Sequence, residues 1–530
     1  MKKHISLLLA ALLLLGCLAG CGGAGGTTDK GSRSTTVKFS YYAGGYGDAW
    51  LKAVAEDYMS INQDVYIELI PSYDNTTAQS DILSGSASAD LYQIEVGMFG
   101  NADYLLELDD VYDAKAYGEE TLIKDKCDEG VYDFYNEDGR HYQLPATART
   151  GWNWVYNKTV LDEVYGADNY QLPRTTDELF RLGDDLFSKQ TFLTVAALAD
   201  TQGGDYTSYL TTTWFAQMTG VEGYRNYVRG NYQDGGSYKL AEDSPRFIAQ
   251  NKTAIEEAYA VAYKLGTKKN HYLYSDSDSL AFKGADQVFY GGGYGMNKSK
   301  VAMMYIGAWI ENEVEDLIQD GIVQPQELRA IKMPVISAII RRTPSIPDEA
   351  TLVRVIDFVD GKGAAPAGVS EADIAIIREA RNLVCENCCR SFVVPKNTKN
   401  AEAVKDFLRY LASDRAQKLS AQNANGLSRL PFGYKPSAAD GFQFTGYVQS
   451  LYDKMEDSVV LDVSGLDNPM ASIVDVQWCY DKASTNVNIV KTIFGGNATA
   501  PADIYGATLA HYDTAQWKTY IESYKTKMKG

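Results

Sequence analysis

Aromatic side chains alternate along one short stretch of this chain, where they can either stack on a flat ligand or fill a core. The stretch Thr150–Tyr156 reads TGWNWVY. This composition is typical of a β-strand, in which successive side chains point to opposite faces. Trp152, Trp154 and Tyr156 are therefore predicted to share one face. Two interpretations remain open, a wall that faces a ligand and an ordinary core strand.

A second set of candidate residues follows the strands predicted near the amino terminus. Val37–Tyr42 reads as a strand, the Gly-rich loop Ala43–Asp48 follows it, and Leu91–Val96 reads as the third strand. Because strands alternate with helical patterns here, the sequence predicts a largely parallel sheet flanked by helices. Ligands bind beyond the carboxyl ends of such strands, although Gly and Asp are also common in plain turns. The candidate contacts at these ends are Tyr42, Tyr46, Asp48 and Glu95.

Phosphate, calcium and zinc chemistry have weak support in the sequence. The glycines of Gly44–Gly47 do not have the spacing of a phosphate-binding loop. Ser275–Ser279 lacks the glycine and the distant glutamate of a calcium-binding loop. Cys385, Cys388 and Cys389 contain one CxxC pair without a second pair of ligands, which favours buried thiols or one disulfide. We therefore expect no metal and no cofactor.

The amino terminus reads as an export signal. A short basic start is followed by the apolar run Ile5–Leu15, which is too short to span a membrane. The run leads to Leu18-Ala-Gly-Cys21, where small residues before a cysteine resemble the lipobox of bacterial lipoproteins. We predict a signal peptide over 1–20, a lipid on Cys21 and a flexible tether over 21–36. A cleaved signal with free release is the alternative.

Length and charge limit the remaining possibilities. Roughly 490 of the 530 residues follow the tether, too many for one core, so two or more lobes are expected. The formal net charge is −19, which argues against nucleic acid as a partner because phosphate binding requires a basic footprint. The chain also carries 38 tyrosines and 7 tryptophans, amphipathic rings that suit sugar and peptide sites as well as cores.

The order of the motifs resembles family 1 extracellular solute-binding proteins, the receptors of ABC importers. The segments that carry this resemblance are Phe39–Asp48, Ser88–Asp90, Leu144–Pro145, Tyr156–Lys158, Pro173–Glu178, Val301–Trp309, Lys332–Pro334 and Phe392–Lys396. The resemblance implies an α/β fold of two lobes, of the type II periplasmic-binding-protein kind, each a mainly parallel sheet flanked by helices. It also implies a receptor rather than an enzyme, with the ligand held between the lobes.

The resemblance also predicts where the chain passes between the lobes. Lobe 1 is expected to contain 37–148 and 302–389, with an insertion at about 337–388, and lobe 2 to contain 149–301 and 390–530. The expected crossings are Ala148–Gly151, Ser299–Ala302 and Cys389–Val394. Together these crossings are predicted to act as a hinge.

Members of this family mostly bind mono- or oligosaccharides, and the resemblance extends this expectation to the present chain. The positions that match the cleft are Tyr42, Tyr46, Asp48, Glu95, Thr150, Trp152, Trp214, Tyr294 and Trp309. Arg149 and Arg390 flank crossings and either bind ligand or pair the lobes. The implied partners are permease subunits and, through the lipid, the outer face of the bacterial cytoplasmic membrane; a monomer is expected.

Two alternatives remain at the level of sequence. A receptor for a polyamine or a peptide would also use acidic and aromatic side chains in a cleft. A secreted glycoside hydrolase would need two carboxylates about 5–5.5 or 6.5–9.5 Å apart, for which Asp48 and Glu95 are the candidates. Release of reducing ends would distinguish the enzyme from a receptor, which returns its ligand unchanged.

Overall fold

The computed structural model describes residues 30–45, 47–72, 75–95, 98, 100–128, 130–148, 150–199, 204–293, 295–386, 390–463, 493, 500–511 and 514–527. These residues form two α/β lobes, each with its own sheet and its own hydrophobic core. Among the helices of these residues, none has the length and apolar character required to cross a membrane.

The strands are β1 Thr35–Tyr42, β2 Val65–Ser72, β3 Leu91–Glu95, β4 Asn136–Glu137, β5 Arg140–His141, β6 Gln143–Pro145, β7 Trp152–Asn157, β8 Thr191–Val195, β9 Asn231–Asp234, β10 Ser237–Leu240, β11 Lys300–Gly307, β12 Leu328–Ile331, β13 Leu383–Glu386, β14 Arg390–Val393 and β15 Val459–Asp462.

The α-helices are α1 Ala49–Ile61, α2 Asn75–Leu83, α3 Asp109–Tyr112, α4 Ile123–Lys126, α5 Val131–Phe134, α6 Lys158–Tyr165, α7 Thr176–Ser188, α8 Gly204–Thr219, α9 Val221–Val228, α10 Arg246–Gln250, α11 Lys252–Gly266, α12 Phe282–Phe289, α13 Ile310–Glu313, α14 Glu315–Gln319, α15 Glu349–Val359, α16 Glu371–Asn382, α17 Ala401–Leu411, α18 Asp414–Gln422, α19 Gly446–Met455, α20 Pro501–His511 and α21 Thr514–Lys527.

Lobe 1 is built on a five-stranded sheet in the order β2-β1-β3-β14-β6. β1 runs parallel to β2 and β3, as the alternation of strands and helices predicts, whereas β14 runs antiparallel to β3 and β6. Phe39 of β1 packs against Phe392 of β14 and Phe407 of α17, with ring centroids 5.9 and 6.2 Å apart. The lobe 1 core therefore joins the first part of the chain to a segment some 350 residues later.

Lobe 2 is built on a four-stranded sheet in the order β12-β7-β11-β8. β7 is antiparallel to β11 and β12, and β11 is parallel to β8. Trp152 and Trp154 of β7 pack into one core of this lobe and Val155 into another on the opposite face. The predicted alternation of faces along β7 is therefore present, and both faces of the strand are covered by protein.

The strand pairing corrects the predicted return of the chain to lobe 1 at residue 302. β11 lies between β7 and β8 of lobe 2, with Met303 opposite Tyr156 on one side and Thr194 on the other. Seven of its eight residues are buried, so the segment has the uniformly apolar composition of a central strand. Such a composition suits the centre of either sheet, and the local pattern cannot indicate which lobe the strand joins.

The assignment of 390–530 to lobe 2 is wrong for its first part. β14 lies in the lobe 1 sheet, and buried residues of α17 and α18 belong to the lobe 1 core. Lobe 2 resumes later, because Tyr447 and Val448 of α19 and Trp517 of α21 lie in lobe 2 cores. The amphipathic pattern of α17 predicted the helix, but a helix that is apolar on one face can cover either sheet.

The described residues pass between the lobes at three neighbouring places. The backbone N–H of Ala146 donates to the carbonyl of Arg390 at 2.9 Å, and that of Ala148 donates to the carbonyl of Arg429 at 3.0 Å. Leu427 packs in lobe 2 and Leu430 in lobe 1, which places a crossing between them. Two predicted crossings fall near observed ones. Ser299–Ala302 lies within lobe 2, and the crossing at 427–430 was not predicted.

The insertion at about 337–388 packs on lobe 2 rather than on lobe 1. Buried side chains of α15, α16 and β13 join the larger lobe 2 core, and β13 pairs in parallel with β15. Arg381 and Asp360 form a buried ion pair, with Nη2 and Oδ2 2.8 Å apart. Arg381 also donates through Nη1 to the carbonyl of Met333 at 3.0 Å. The insertion is thereby fixed to the segment that follows β12.

Candidate functional site

The Gly-rich loop after β1 lies beside an arginine of the last lobe 1 strand. The guanidinium carbon of Arg390 is 3.7 Å from the centroid of the Tyr42 ring, a cation–π contact. A Cβ on Gly44 would lie 2.5 Å from the same ring, so a glycine here lets the loop approach Tyr42. Tyr42 is half-buried and keeps part of its ring accessible.

Asp48 makes its described contacts within lobe 1. Its Oδ2 accepts a hydrogen bond from Tyr41 Oη at 2.8 Å, and its Oδ1 lies 2.9 Å from Lys52 Nζ. These contacts fix the start of α1, which begins at the next residue. Asp48 therefore supports the end of the loop, and its predicted contact with a ligand remains a proposal.

Several predicted site residues lie outside the described part of the chain. These are Cys21, Tyr46, Arg149, Tyr294, Cys388 and Cys389. Glu95 is described through its backbone, which pairs with Arg390 at the end of β3, but its side chain is not. Cys385 is buried, and Thr213 Oγ1 donates a hydrogen bond to its Sγ at 3.1 Å. In the described residues, no group of three or more His, Cys, Asp or Glu side chains is arranged to hold a metal.

Four rings of lobe 2 form one continuous cluster, which we call the aromatic wall: Trp152, Tyr209, Tyr305 and Trp309. Ring centroids are 5.0 Å apart for Trp152 and Tyr209, 6.1 Å for Trp152 and Tyr305, and 5.1 Å for Trp152 and Trp309. Trp152 is only 4% exposed, whereas Trp309 is half-buried. Trp309 is therefore the more exposed tryptophan of the wall, and the buried Trp152 packs against it.

The lobe 1 loop and the aromatic wall meet directly. A Cβ on Gly45 would lie 3.4 Å from Cγ of Trp309, and Gly45 has a φ of +72°, which favours glycine. Within lobe 2, a Cβ on Gly307 would overlap the Trp309 ring. The Trp309 ring therefore occupies space that side chains at positions 45 and 307 would fill. The contact brings two of the predicted regions together, the loop after β1 and the segment after β11.

Trp214 does not belong to this surface. The side chain is 0% exposed and lies in the larger lobe 2 core, on α8. Its placement contradicts the predicted ligand contact, because no part of the ring faces the space between the lobes. An aromatic residue on a helix reads the same in sequence whether it faces a core or a ligand, and here it faces the core.

Thr150 is placed at the first crossing, where its backbone rather than its side chain makes the described contact. The Thr150 N–H donates to Oε2 of Glu386 at 3.0 Å, and the Gly151 N–H donates to the same oxygen at 2.6 Å. Glu386 was not predicted as a site residue, because this segment was interpreted only through its cysteines, as buried thiols or one disulfide. Its position inside an otherwise apolar strand, LVCE, was the available signal.

Two carboxyl groups near each other, those of the buried Asp286 and the half-buried Glu313, have raised pKa values. Asp286 of α12 is 1% exposed, and among the described residues neither of its oxygens has a hydrogen-bond partner. Burial raises its pKa to about 7, despite the opposing charge of Lys283. Burial and then the negative charge of Asp286 raise the pKa of Glu313, while a hydrogen bond with Trp309 opposes the shift. Of the two, Glu313 is the carboxyl group that contacts the aromatic wall, through its hydrogen bond with Trp309.

The Asp286→Asn variant should gain stability relative to the wild type as the pH rises from 5 to 8. Because the folded-state pKa of Asp286 exceeds the unfolded value of 3.8, folding favours the protonated carboxyl, and this contribution is lost as the pH rises towards about 7. The difference in the free energy of unfolding should grow by about 1–3 kcal/mol. Urea unfolding at each pH measures it.

The Asp234→Asn variant is the matched control for this measurement. Asp234 is exposed and pairs with Lys239 at 2.7 Å, which lowers its pKa. Its stabilising contribution is present above the unfolded pKa, so this variant should show no gain between pH 5 and 8. A constant difference between Asp286→Asn and wild type across this range would show that Asp286 is not protonated on folding.

Two α/β lobes joined by neighbouring crossings are the architecture of binding proteins that close by hinge motion. The sequence profile of bacterial extracellular solute-binding proteins matches residues 43–350, and the chain belongs to this family. The predicted family and the two-lobed α/β fold are confirmed. No curated protein matches the chain in sequence.

Solved structures of similar fold cover nearly the whole chain. RafE from Streptococcus pneumoniae has a TM-score of 0.55 at 13% identity, covering 92% of this chain and 99% of its own. GacH of Streptomyces glaucescens has a TM-score of 0.55 at 15% identity, covering 90% and 97%. A protein associated with xylan utilisation by Caldanaerobius polysaccharolyticus has a TM-score of 0.57 at 15% identity, covering 90% and 100%. At these identities the likeness concerns the fold.

Proposed function

We propose that this protein is the receptor of an ABC importer for a sugar or oligosaccharide, which it binds between the lobes and delivers to the permease. The observation that carries the proposal is the aromatic wall of lobe 2, whose Trp309 faces the Gly-rich loop of lobe 1. A half-buried indole offers its face to the C–H side of a sugar ring. The loop beside it offers backbone N–H groups and Tyr42 for hydroxyl groups.

The solved relatives support a carbohydrate rather than another solute. RafE has been solved with raffinose and GacH with acarbose, and a further neighbour is a chitin oligosaccharide binding protein. These ligands share a flat apolar face and many hydroxyl groups. In the present chain the same chemistry would be met by Trp309 and by polar groups of the loop after β1. An unpaired polar group in the wrong complex costs about 1–3 kcal/mol, which supplies selectivity.

The arrangement gives less support to the other two candidates. Asp48, one of the two carboxylates available for hydrolysis, is occupied by Tyr41 and Lys52. A polyamine receptor would need ionised acidic side chains that remain accessible beside the wall, whereas Glu313, which hydrogen-bonds Trp309, is half-buried and its pKa is raised. A ligand screen tests both the hydrolase and the polyamine or peptide receptor.

A thermal-shift screen of the mature chain should find sugars among the stabilising ligands. A ligand that binds only the folded state at 100 times its Kd adds about 2.7 kcal/mol to the free energy of unfolding. The screen should contain mono- and oligosaccharides, polyamines and short peptides at matched concentrations. Stabilisation by spermidine or a peptide, with none by any sugar, would contradict a carbohydrate receptor. Chromatography of the recovered sugar tests for hydrolysis.

Membrane attachment through Cys21 is the second part of the proposal. The Cys21→Ser variant should remain an unlipidated precursor, because the hydroxyl cannot form the thioether that carries the lipid. Incorporation of a radiolabelled fatty acid measures this directly, with Cys17→Ser as the matched control that should label normally. If Cys21→Ser incorporates the fatty acid normally and Cys17→Ser does not, the lipid is carried by Cys17 instead.

A further inference from the structure

Glu386 connects two crossings between the lobes. It is the last residue of β13, directly before the crossing that leads to β14, and is only 4% exposed. Its Oε2 accepts hydrogen bonds from the N–H groups of Thr150 and Gly151, at 3.0 and 2.6 Å. These residues belong to the crossing before β7. One buried carboxylate therefore holds the second crossing against the backbone of the first.

Lys454 connects a third segment, the one that follows the third crossing, to the same place. It lies on α19 and is 6% exposed, and its Nζ donates to Oδ1 of Asn153. Asn153 in turn donates through Nδ2 to the carbonyl of Gly151 at 2.7 Å. Burial lowers the pKa of Lys454 to about 7, while the charge of Glu386 opposes this shift. The ammonium, the amide and the carboxylate thus converge on Gly151 from three segments.

The same cluster lies behind the aromatic wall. Lys454 lines a small cavity together with Trp152, Trp154, Tyr305 and Cys385. Trp152 and Tyr305 are members of the wall that supports Trp309. The cluster therefore contacts the rings that support the candidate binding face, and any movement of the cluster would displace those rings.

We propose that Glu386, Asn153 and Lys454 form a hinge clamp that sets the angle between the lobes and thereby the affinity for solute, without contacting the solute. The proposal deepens the proposed function and rests on it. Buried charges are favourable only where their partners are well placed, so the clamp stabilises one conformation of the crossing around Gly151. Lobe rotation has to change the backbone angles of the crossings, and the clamp acts on the backbone there.

The clamp predicts a change that is measurable without ligand. In the Glu386→Gln variant, the amide keeps the shape of the side chain but loses the charge that binds two N–H groups and faces Lys454. Single-molecule energy transfer between one dye on each lobe should show a shifted or broadened distribution of inter-lobe distances in the free protein. Glu349→Gln is the matched control, because this half-buried carboxylate of lobe 2 also accepts from a threonine, Thr175, far from the crossings in sequence.

Ligand binding provides the second readout. If Glu386→Gln changes the share of binding-competent molecules by about tenfold, the apparent Kd for the sugar found in the screen should change by about tenfold. If the distribution of inter-lobe distances in free Glu386→Gln equals that of the wild type, the clamp is overturned. This holds whether or not the variant binds the sugar normally. A shifted distribution with no sugar bound by the wild type would support the clamp and contradict the carbohydrate function.

A second variant keeps the test decisive if Glu386→Gln does not fold. Lys454→Met retains the length and apolar stem of the lysine and leaves the two N–H bonds of Glu386 in place. It should shift the inter-lobe distribution in the free protein, because the link to Asn153 is lost. A folded Lys454→Met protein with the wild-type distribution would show that the cluster supports lobe 2 and has no part in setting the hinge.

Discussion

Replacing Trp152 with alanine should destabilise the protein by about 3–5 kcal/mol, the range for removing a buried aromatic ring. The ring is 4% exposed and contacts Tyr209, Tyr305 and Trp309, so its removal leaves a cavity behind the candidate binding face. Trp309→Ala should destabilise much less, because that ring is half-buried. It should instead weaken sugar binding by about 1–3 kcal/mol, by analogy with stacking of bases on aromatic rings.

Urea unfolding and titration calorimetry with the sugar from the screen separate the two effects. Trp214→Ala is the control for a fully buried tryptophan of lobe 2, and it should lose stability without a change in affinity at temperatures where it stays folded. The sequence predicted that Trp152 contacts the ligand, with a plain core strand as the alternative. A Trp152→Ala protein of unchanged stability and reduced affinity would restore that prediction and contradict the supporting role.

Local patterns predicted the elements of this fold better than their assignment to lobes. The alternation of strands and helices over the first sixty residues of lobe 1 predicted parallel pairing, and β1 does pair in parallel with β2 and β3. The apolar run of β11 predicted a strand, but it carries no information on which sheet supplies its neighbours. Lobe assignment depends on contacts between distant segments, which no window of the sequence contains.

The candidate site shows the same limit at the level of single residues. Trp309 and Trp214 were both predicted to contact the ligand, yet Trp309 is half-buried in the wall and Trp214 lies fully buried in a core. Composition predicted rings but could not predict their exposure. Glu386 was obscured for a different reason. A charged residue at the end of a buried strand was visible, but its partners lie more than 200 residues away in the chain.

The Gly151→Ala variant should lose about 2–4 kcal/mol of stability and alter the angle between the lobes. Gly151 has a φ of +71°, where an alanine is strained by roughly 1 kcal/mol. A Cβ there would also overlap Cγ1 of Val384, and overpacking of this kind costs typically about 1–3 kcal/mol. Because Val384 lies beside Glu386 on β13, the displacement acts on the crossing. Urea unfolding measures the stability loss, and the inter-lobe distance in the free protein reports the hinge.

Gly139→Ala separates the two contributions to this loss. Gly139 has a φ of +83°, and a Cβ there would have no atom of the described residues within 4 Å, so alanine should show the backbone strain alone. The double variant Gly151→Ala with Val384→Ala should recover part of the overlap and restore the inter-lobe distance, while the strain of the positive φ remains. If Gly151→Ala destabilises no more than Gly139→Ala and leaves the distance unchanged, the first crossing relaxes freely around residue 151, and its close packing does not set the hinge.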